Sequence, residues 1–209
     1  MKKLIPILLA VFALASCEKD PDMGKLDDNY LVYTNYDKKA DFKVPTFYLA
    51  PQILVISDSK EPEYLEGEGA EQILAAYTEN MEAKGYQPAA DKESADLGIQ
   101  VSYIASTYYF TSYTQPEWWW GYPGYWGPSY WGNWGGWYYP YAVTYSYSTN
   151  SFITEMVNLK ADEGEGKKLP VVWTSYLTGF ETGSKAINRT LAIEAVNQSF
   201  TQSPYLTNK

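Results

Sequence analysis

Three kinds of residue in this 209-residue chain can do chemistry: a single cysteine, sets of carboxylates, and a crowd of tryptophan and tyrosine. Histidine is absent from the sequence, which removes Ser-His-Asp and Cys-His catalysis and imidazole metal sites. One cysteine permits neither an internal disulfide nor a thiolate zinc cluster. Carboxylates alone still suffice for a glycoside hydrolase, which needs two of them about 5 to 10 Å apart beside a sugar site. The candidates are Glu61, Glu63, Glu66 and Glu68 ahead of the first helix, Asp91, Glu93 and Asp96 ahead of a strand, and Asp162, Glu163 and Glu165 in a turn. Acidic runs in loops are ordinarily solvated, and no spacing here sets one carboxylate across from another. The calcium-loop spacing of an EF-hand is missing, as are the glycine loops that cradle phosphates and the Gly-x-Ser-x-Gly elbow. The expectation is a non-enzyme with no catalytic residue, no metal and no cofactor.

Cys17 has the clearest context. Lys2 and Lys3 precede an apolar run from Leu4 to Ala15, and Leu14-Ala15-Ser16 leads into the cysteine. This is the pattern of a bacterial lipoprotein signal, with a basic start and an apolar stretch shorter than the roughly 20 residues that span a bilayer. Residues 1–16 are then a signal peptide, and the thiol of Cys17 receives the lipid. Removing Lys2 and Lys3, two of the 16 basic residues, moves the formal charge from -9 to -11. So acidic a body is repelled by anionic lipid and lacks the basic footprint of nucleic-acid binding. Membrane attachment therefore rests on acyl chains such as palmitate, of which two or more hold firmly. Residues 17–29, with Glu18, Asp20, Asp22, Asp27 and Asp28, form an acidic tether too polar to pack. The tether resembles the acidic export signal of surface-exposed lipoproteins in the Bacteroidetes. Outer-membrane anchoring is expected, with the cell surface favoured over the periplasmic face.

The aromatic residues gather in an insertion at about 115–140. It holds Trp118, Trp119, Trp120, Trp126, Trp131, Trp134 and Trp137, interleaved with Tyr122, Tyr125, Tyr130, Tyr138 and Tyr139. Glycines and prolines at close intervals deny it a helical or steady strand period, and no charged residue occurs from Trp118 through Thr154. Burying a large ring is worth on the order of 2 to 3 kcal/mol, so these rings must find the body, a partner or a membrane. One reading folds them over the sheet as core. Of the interaction readings, protein association or self-association ranks first, because Trp and Tyr dominate interface hot spots. Glycan binding, with indole and phenol faces on sugar rings, is the alternative. Contact with the bilayer interface ranks last, given the acidic body.

Periodicity locates the elements that position these groups. Tyr30 to Asp37, Thr46 to Leu49 and Ile53 to Ile56 read as strands, punctuated by Pro45 and Pro51. Ala70 to Lys84 places Ile73, Tyr77 and Met81 on one helical stripe and ends at Gly85. Leu97 to Ile104 alternates, as does Tyr141 through Tyr147, and the two runs are expected to pair as arms of a long hairpin. Ser151 to Lys160 and Leu169 to Gly179 flank a charged turn, with Trp173 in the core. Ser184 to Phe200 closes the chain as a helix, capped by Ser184 and facing inward through Ile187, Leu191 and Ala195. The order β, β, α, β, β, β, α predicts one α+β domain over residues 30–209, with a mainly antiparallel sheet and two helices packed on one face.

Short motifs recur along this frame: Tyr36-Asp37, Ala40-Asp41-Phe42, Thr46-Phe47-Tyr48, Met81-Glu82-Ala83-Lys84-Gly85-Tyr86, Ala95-Asp96-Leu97, Val172-Trp173 and Ser203-Pro204-Tyr205. With them the chain resembles, from about Tyr30 to Tyr205, the bacterial lipoprotein family called domain of unknown function 4136. The resemblance implies an α+β lipoprotein domain carrying a variable insertion rich in Gly, Tyr and Trp. It implies no activity and supplies no catalytic residues. The chain departs from the family pattern at Phe152-Ile153-Thr154, where a Gly-Thr-Leu type sequence is more usual.

Overall fold

The computed structural model describes residues 30–57, 59, 61–105, 137–141, 148–161, 168–181 and 183–209, with the backbone only at Ile187. The leader, Cys17, the tether, the insertion from Trp118 to Trp134, and the turn acids Asp162, Glu163 and Glu165 lie outside the described residues. In chain order the elements are β1 (Leu31–Tyr36), β2 (Thr46–Leu49), β3 (Ile53–Ile56), β4 (Glu63–Leu65), α1 (Glu68–Ala83), β5 (Gln87–Pro88), β6 (Leu97–Ile104), β7 (Trp137–Tyr138), β8 (Ser151–Asn158), β9 (Leu169–Thr178) and α2 (Lys185–Thr201). No helix among the described residues is long and apolar enough to cross a membrane.

Strands lie in the order β1-β9-β8-β6-β2-β5, with β3 on β6 past the end of β2, β4 on β3, and β7 on β9. The α+β class holds, but the sheet is mixed where the sequence pattern predicts a mainly antiparallel one. β6 runs parallel to both β2 and β3, and β2–β5 and β7–β9 are parallel as well. The reason is the crossover: the chain leaves β3 and β4, passes through α1, and returns in β6 in the same direction, as parallel strands require.

The first arm of the expected long hairpin, β6, is described in full. β6 pairs antiparallel with β8 along its whole length, from Leu97↔Asn158 to Ile104↔Ser151, while β2 and β3 occupy its other edge. Of the run from Tyr141 to Tyr147, only Tyr141 belongs to the described residues, and the rest of the expected second arm lies outside them. The predicted pairing across the charged turn does form, as β8 against β9 from Phe152↔Leu177 to Val157↔Val171, with a bulge at Met156/Val157.

Both helices cover one face. Ile73, Tyr77 and Met81 of α1 are buried as their spacing requires. α2 turns Ala192, Ala195, Val196 and Phe200 inward, and Leu191 packs half-buried at the margin. Gly67 precedes α1, whose first turn carries Glu68 and Glu71 where the helix dipole favours negative charge. Gly85, at φ 98, ends it: Gly85 N–H reaches Glu82 O and Tyr86 N–H reaches Met81 O.

The recurring motifs are framework contacts. Thr46 and Asp96 tie β2 to β6: Thr46 N–H and Oγ1 donate to Asp96 Oδ2 at 3.0 and 2.5 Å, and Asp96 N–H donates to Thr46 Oγ1 at 3.0 Å. Trp173 Nε1–H donates to Ser203 Oγ at 3.0 Å, and Tyr205 stacks on Tyr36 with ring centroids 3.6 Å apart. Tyr86 OH donates to Phe42 O at 2.8 Å.

Candidate functional site

Strand alternation turns Gln100 and Ser102 of β6, Ile153 and Glu155 of β8, and Thr174 and Tyr176 of β9 away from the helices. All are buried, and Glu155 is only 1% exposed. A buried face with this much polarity is stable only when its groups are matched. Chain leaving the aromatic insertion supplies partners. β7 lies along the start of β9, with Trp137 opposite Leu169 and Tyr138 opposite Pro170. Tyr139 OH then donates to Glu155 Oε1, Tyr141 OH reaches Thr174 Oγ1 at 3.5 Å, and Ser148 N–H donates to Tyr176 OH at 2.9 Å. Trp137, Tyr138, Tyr141 and Ser148 thus meet β9 in chain order on the helix-free face, while Tyr139 reaches across to β8. At its start Trp137, 1% exposed, packs with Val157, Leu159, Leu169 and Val171 in a second, smaller core.

The helix side holds a cleft of about 900 Å³ where β6 ends, β8 begins and both helices start. Phe152 and Phe180 lie at its base, their ring centroids 5.8 Å apart, and Tyr103 sits 5.1 Å from Phe152. Asn150, in the left-handed region at φ 56, links two elements: Tyr103 OH donates to Asn150 Oδ1 at 2.6 Å, and Asn150 Nδ2–H donates to Glu181 Oε1 at 2.7 Å. Burial, and then the nearby Glu181 carboxylate, hold the Tyr103 phenol above its usual range. Lys185 and Arg189 of α2 and Glu66 ahead of α1 complete the charged rim. Arg189 is the only arginine in the sequence, is half-buried, and makes no hydrogen bond or ion pair with a described residue. Its Cδ lies 3.6 Å from where a Cβ on Gly69 would stand.

Of the aromatic residues singled out from sequence, the structure places three. Trp137 is enclosed in the second core, and Tyr138 and Tyr139 are half-buried against the sheet. Among the acids, Glu63 accepts from Ser57 and Glu68 from Gln72 on the surface. The Asp91 carboxyl, held below the usual carboxylate range first by Ser94, closes a turn, and Asp96 serves the β2–β6 tie. Among the described residues, Glu66 is the one sequence-predicted acid that lines the cleft, as Glu181 does from another element; both residues are exposed. Among the described residues no three acids, cysteines or histidines gather where a metal ion would sit. Sequence reasoning missed Glu155, Asn150 and Arg189. Glu155 had a signal: it ends the neutral run that begins at Trp118, yet stands mid-strand between Thr154 and Met156.

The architecture is an α+β domain with two helices on one face of a mixed sheet and the foot of an aromatic insertion on the other. The family model DUF4136, a domain of unknown function, matches residues 32–205, and the chain belongs to that family. A 1.60 Å crystal structure of a DUF4136 family protein from Bacteroides thetaiotaomicron is 96% identical, with a TM-score of 0.79 over 88% of this chain and 100% of that one. Two PelC dodecamer structures from Paraburkholderia phytofirmans are each 10% identical, with TM-scores of 0.41 and 0.39. They cover 86% and 85% of this chain and 99% and 98% of theirs. No curated protein matches.

Proposed function

We propose that this protein is a non-catalytic interaction module of the cell envelope, held at the outer membrane by acyl chains on Cys17 and working through its aromatic insertion. The observation that supports this most is the foot of the insertion. Trp137, Tyr139, Tyr141 and Ser148 key its exit onto the sheet, so the body spends the nearest rings on fixing the segment. The rings proposed to meet a protein partner or a second copy are Trp118, Trp119, Trp120, Trp126, Trp131 and Trp134. A base fixed in advance lowers the ordering cost of such contacts. Glycan binding by the same rings is the alternative reading. Carboxylate-based hydrolysis ranks last, because a glycosidase needs two carboxylates held in place beside the sugar, and Glu66 and Glu181 are both exposed.

The test replaces residues 118–134 by a short Gly-Ser turn and leaves Trp137 to Tyr141 intact. The wild-type chain is expected to self-associate in sedimentation, or to crosslink to a defined neighbour in cells, while the shortened chain melts at the same temperature and loses the association. Identical sedimentation and identical crosslinks for both proteins would sink the reading, as would a large fall in melting temperature. For the anchor, globomycin should block processing at Cys17; unchanged processing removes that part.

A further inference from the structure

We propose that the cleft between the starting ends of α1 and α2 binds an acidic saccharide, with Arg189 gripping the sugar carboxylate. Lys185 stands where it opposes the dipole of α2, and Arg189 follows one turn further in. Lys185 and Arg189 sit four residues apart at the N-terminal end of α2, which has no acid in its first turn. Positive charge at that end opposes the helix dipole, whereas α1 follows the favourable rule with Glu68 and Glu71. Lys185 opposing the dipole, beside a half-buried Arg189 that makes no hydrogen bond or ion pair with a described residue, points to an anionic ligand. A guanidinium is a planar fork that takes a carboxylate through two parallel hydrogen bonds.

The rest of the lining narrows the class. Glu66 and Glu181 accept hydrogen bonds and repel a simple anion, so the ligand must bring donors as well as its acid. Asn150, fixed between Tyr103 and Glu181, offers a planar amide edge. Phe152 and Phe180 give a small apolar base. Hydroxyls for the carboxylates, an acid for Arg189 and C–H faces for the base occur together on a uronic-acid sugar. A fatty acid would bring no donors to Glu66 and Glu181. The volume of about 900 Å³ exceeds one sugar ring and suits a short oligomer.

The test titrates the full chain with digalacturonate by calorimetry, alongside its neutral methyl ester and an acetylated Asp-Asp peptide. Saturable binding is expected for digalacturonate, weakened about tenfold or more by esterification or by Arg189→Gln, and less by Arg189→Lys, which keeps charge without the fork. Lys185→Gln, at an exposed position, should weaken binding several-fold and guards against a folding defect in the arginine variant. Absence of saturation, equal affinity of Arg189→Gln, or equal affinity for the methyl ester overturns the site. Binding of the acidic peptide as tightly as the saccharide overturns the ligand class.

Discussion

Leu97, Ile99, Phe152, Met156 and Leu177 face the two helices, whereas Gln100, Ser102, Glu155 and Thr174, from the same strands, face the other way and are buried as deeply. On the helix side, polar contacts run in short chains, such as Tyr77 OH with Thr154 Oγ1 at 2.5 Å and Ser203 Oγ with both Trp173 and Tyr205. On the other side they form a field of hydroxyls around one carboxylate. Apolar packing tolerates any filling of about the right volume, while a buried polar face is stable only with its own partners in place. The helix side therefore supplies the bulk of stability, and the helix-free side selects the one segment that can lie on it. That segment is the exit of the aromatic insertion, which makes the insertion's foot part of the fold.

The largest effect should separate the two tryptophans. Trp173, 0% exposed and with its ring 5.4 Å from Phe200, sits in the main core, and Trp173→Ala should cost about 3 to 5 kcal/mol in urea unfolding. Trp137 belongs to the smaller cluster, so Trp137→Ala should fall at or below about 3 kcal/mol, and should open residues 137–141 to hydrogen exchange while α1 and α2 stay protected. Equal costs with one common loss of protection would show that both faces form a single cooperative core.

Alkaline pH should act next, and through the helix side. Burial pushes the Tyr77 phenol up to about 12 against the opposing hydrogen bond of Thr154, and burial also raises Tyr86. An unfolded tyrosine loses its proton near pH 10, so between about pH 10 and 12 the unfolded chain holds fewer protons than the folded one. Stability is whole below that window and falls as pH rises through it, by roughly 2 to 3 kcal/mol for Tyr77. Tyr77→Phe should make the fall shallower in urea titrations across the window; an unchanged slope would remove Tyr77 as its source.

Much of the helix side was legible in the sequence, because its signals are local. The stripe Ile73, Tyr77, Met81 and the glycine stop at Gly85 need only a helical period, and the bounds of β2, β3 and β6 follow from short apolar runs. Strand direction is a long-range property, so the parallel pairs made by the crossover through α1 escaped the pattern. β4, β5 and β7 are too short to show a period. The cleft draws on four separated stretches, and Arg189 is one charge on a helix until Tyr103, Asn150 and Glu181 are brought to the same cleft.

Glu155 sharpens the comparison at the scale of one side chain. Glu155→Ala should cost about 1 to 3 kcal/mol, because it strands the Tyr139 hydroxyl on a buried face. Tyr139→Phe in the same background should recover part of that cost, with a coupling of about 0.5 to 3 kcal/mol in a double-mutant cycle. Additive losses would mean that the carboxylate does not select the insertion's exit. In that case the selection would have to come from the hydroxyls further along β9.

Those hydroxyls should give the smallest effect. Ser148 Oγ, Ser151 Oγ, Tyr176 OH and Thr178 Oγ1 lie 2.8–3.0 Å from one another in five pairs, so each has more than one partner. Removing one leaves the others matched, and Ser148→Ala should cost under about 1 kcal/mol. Tyr176→Phe should cost more, since the phenol also accepts from Ser148 N–H, and a backbone donor left without its acceptor is penalised. Urea unfolding of the two variants measures that difference directly. If Ser148→Ala is as costly as Glu155→Ala, the cluster is not redundant, and the helix-free face selects its covering segment along the whole exit instead of at one buried carboxylate.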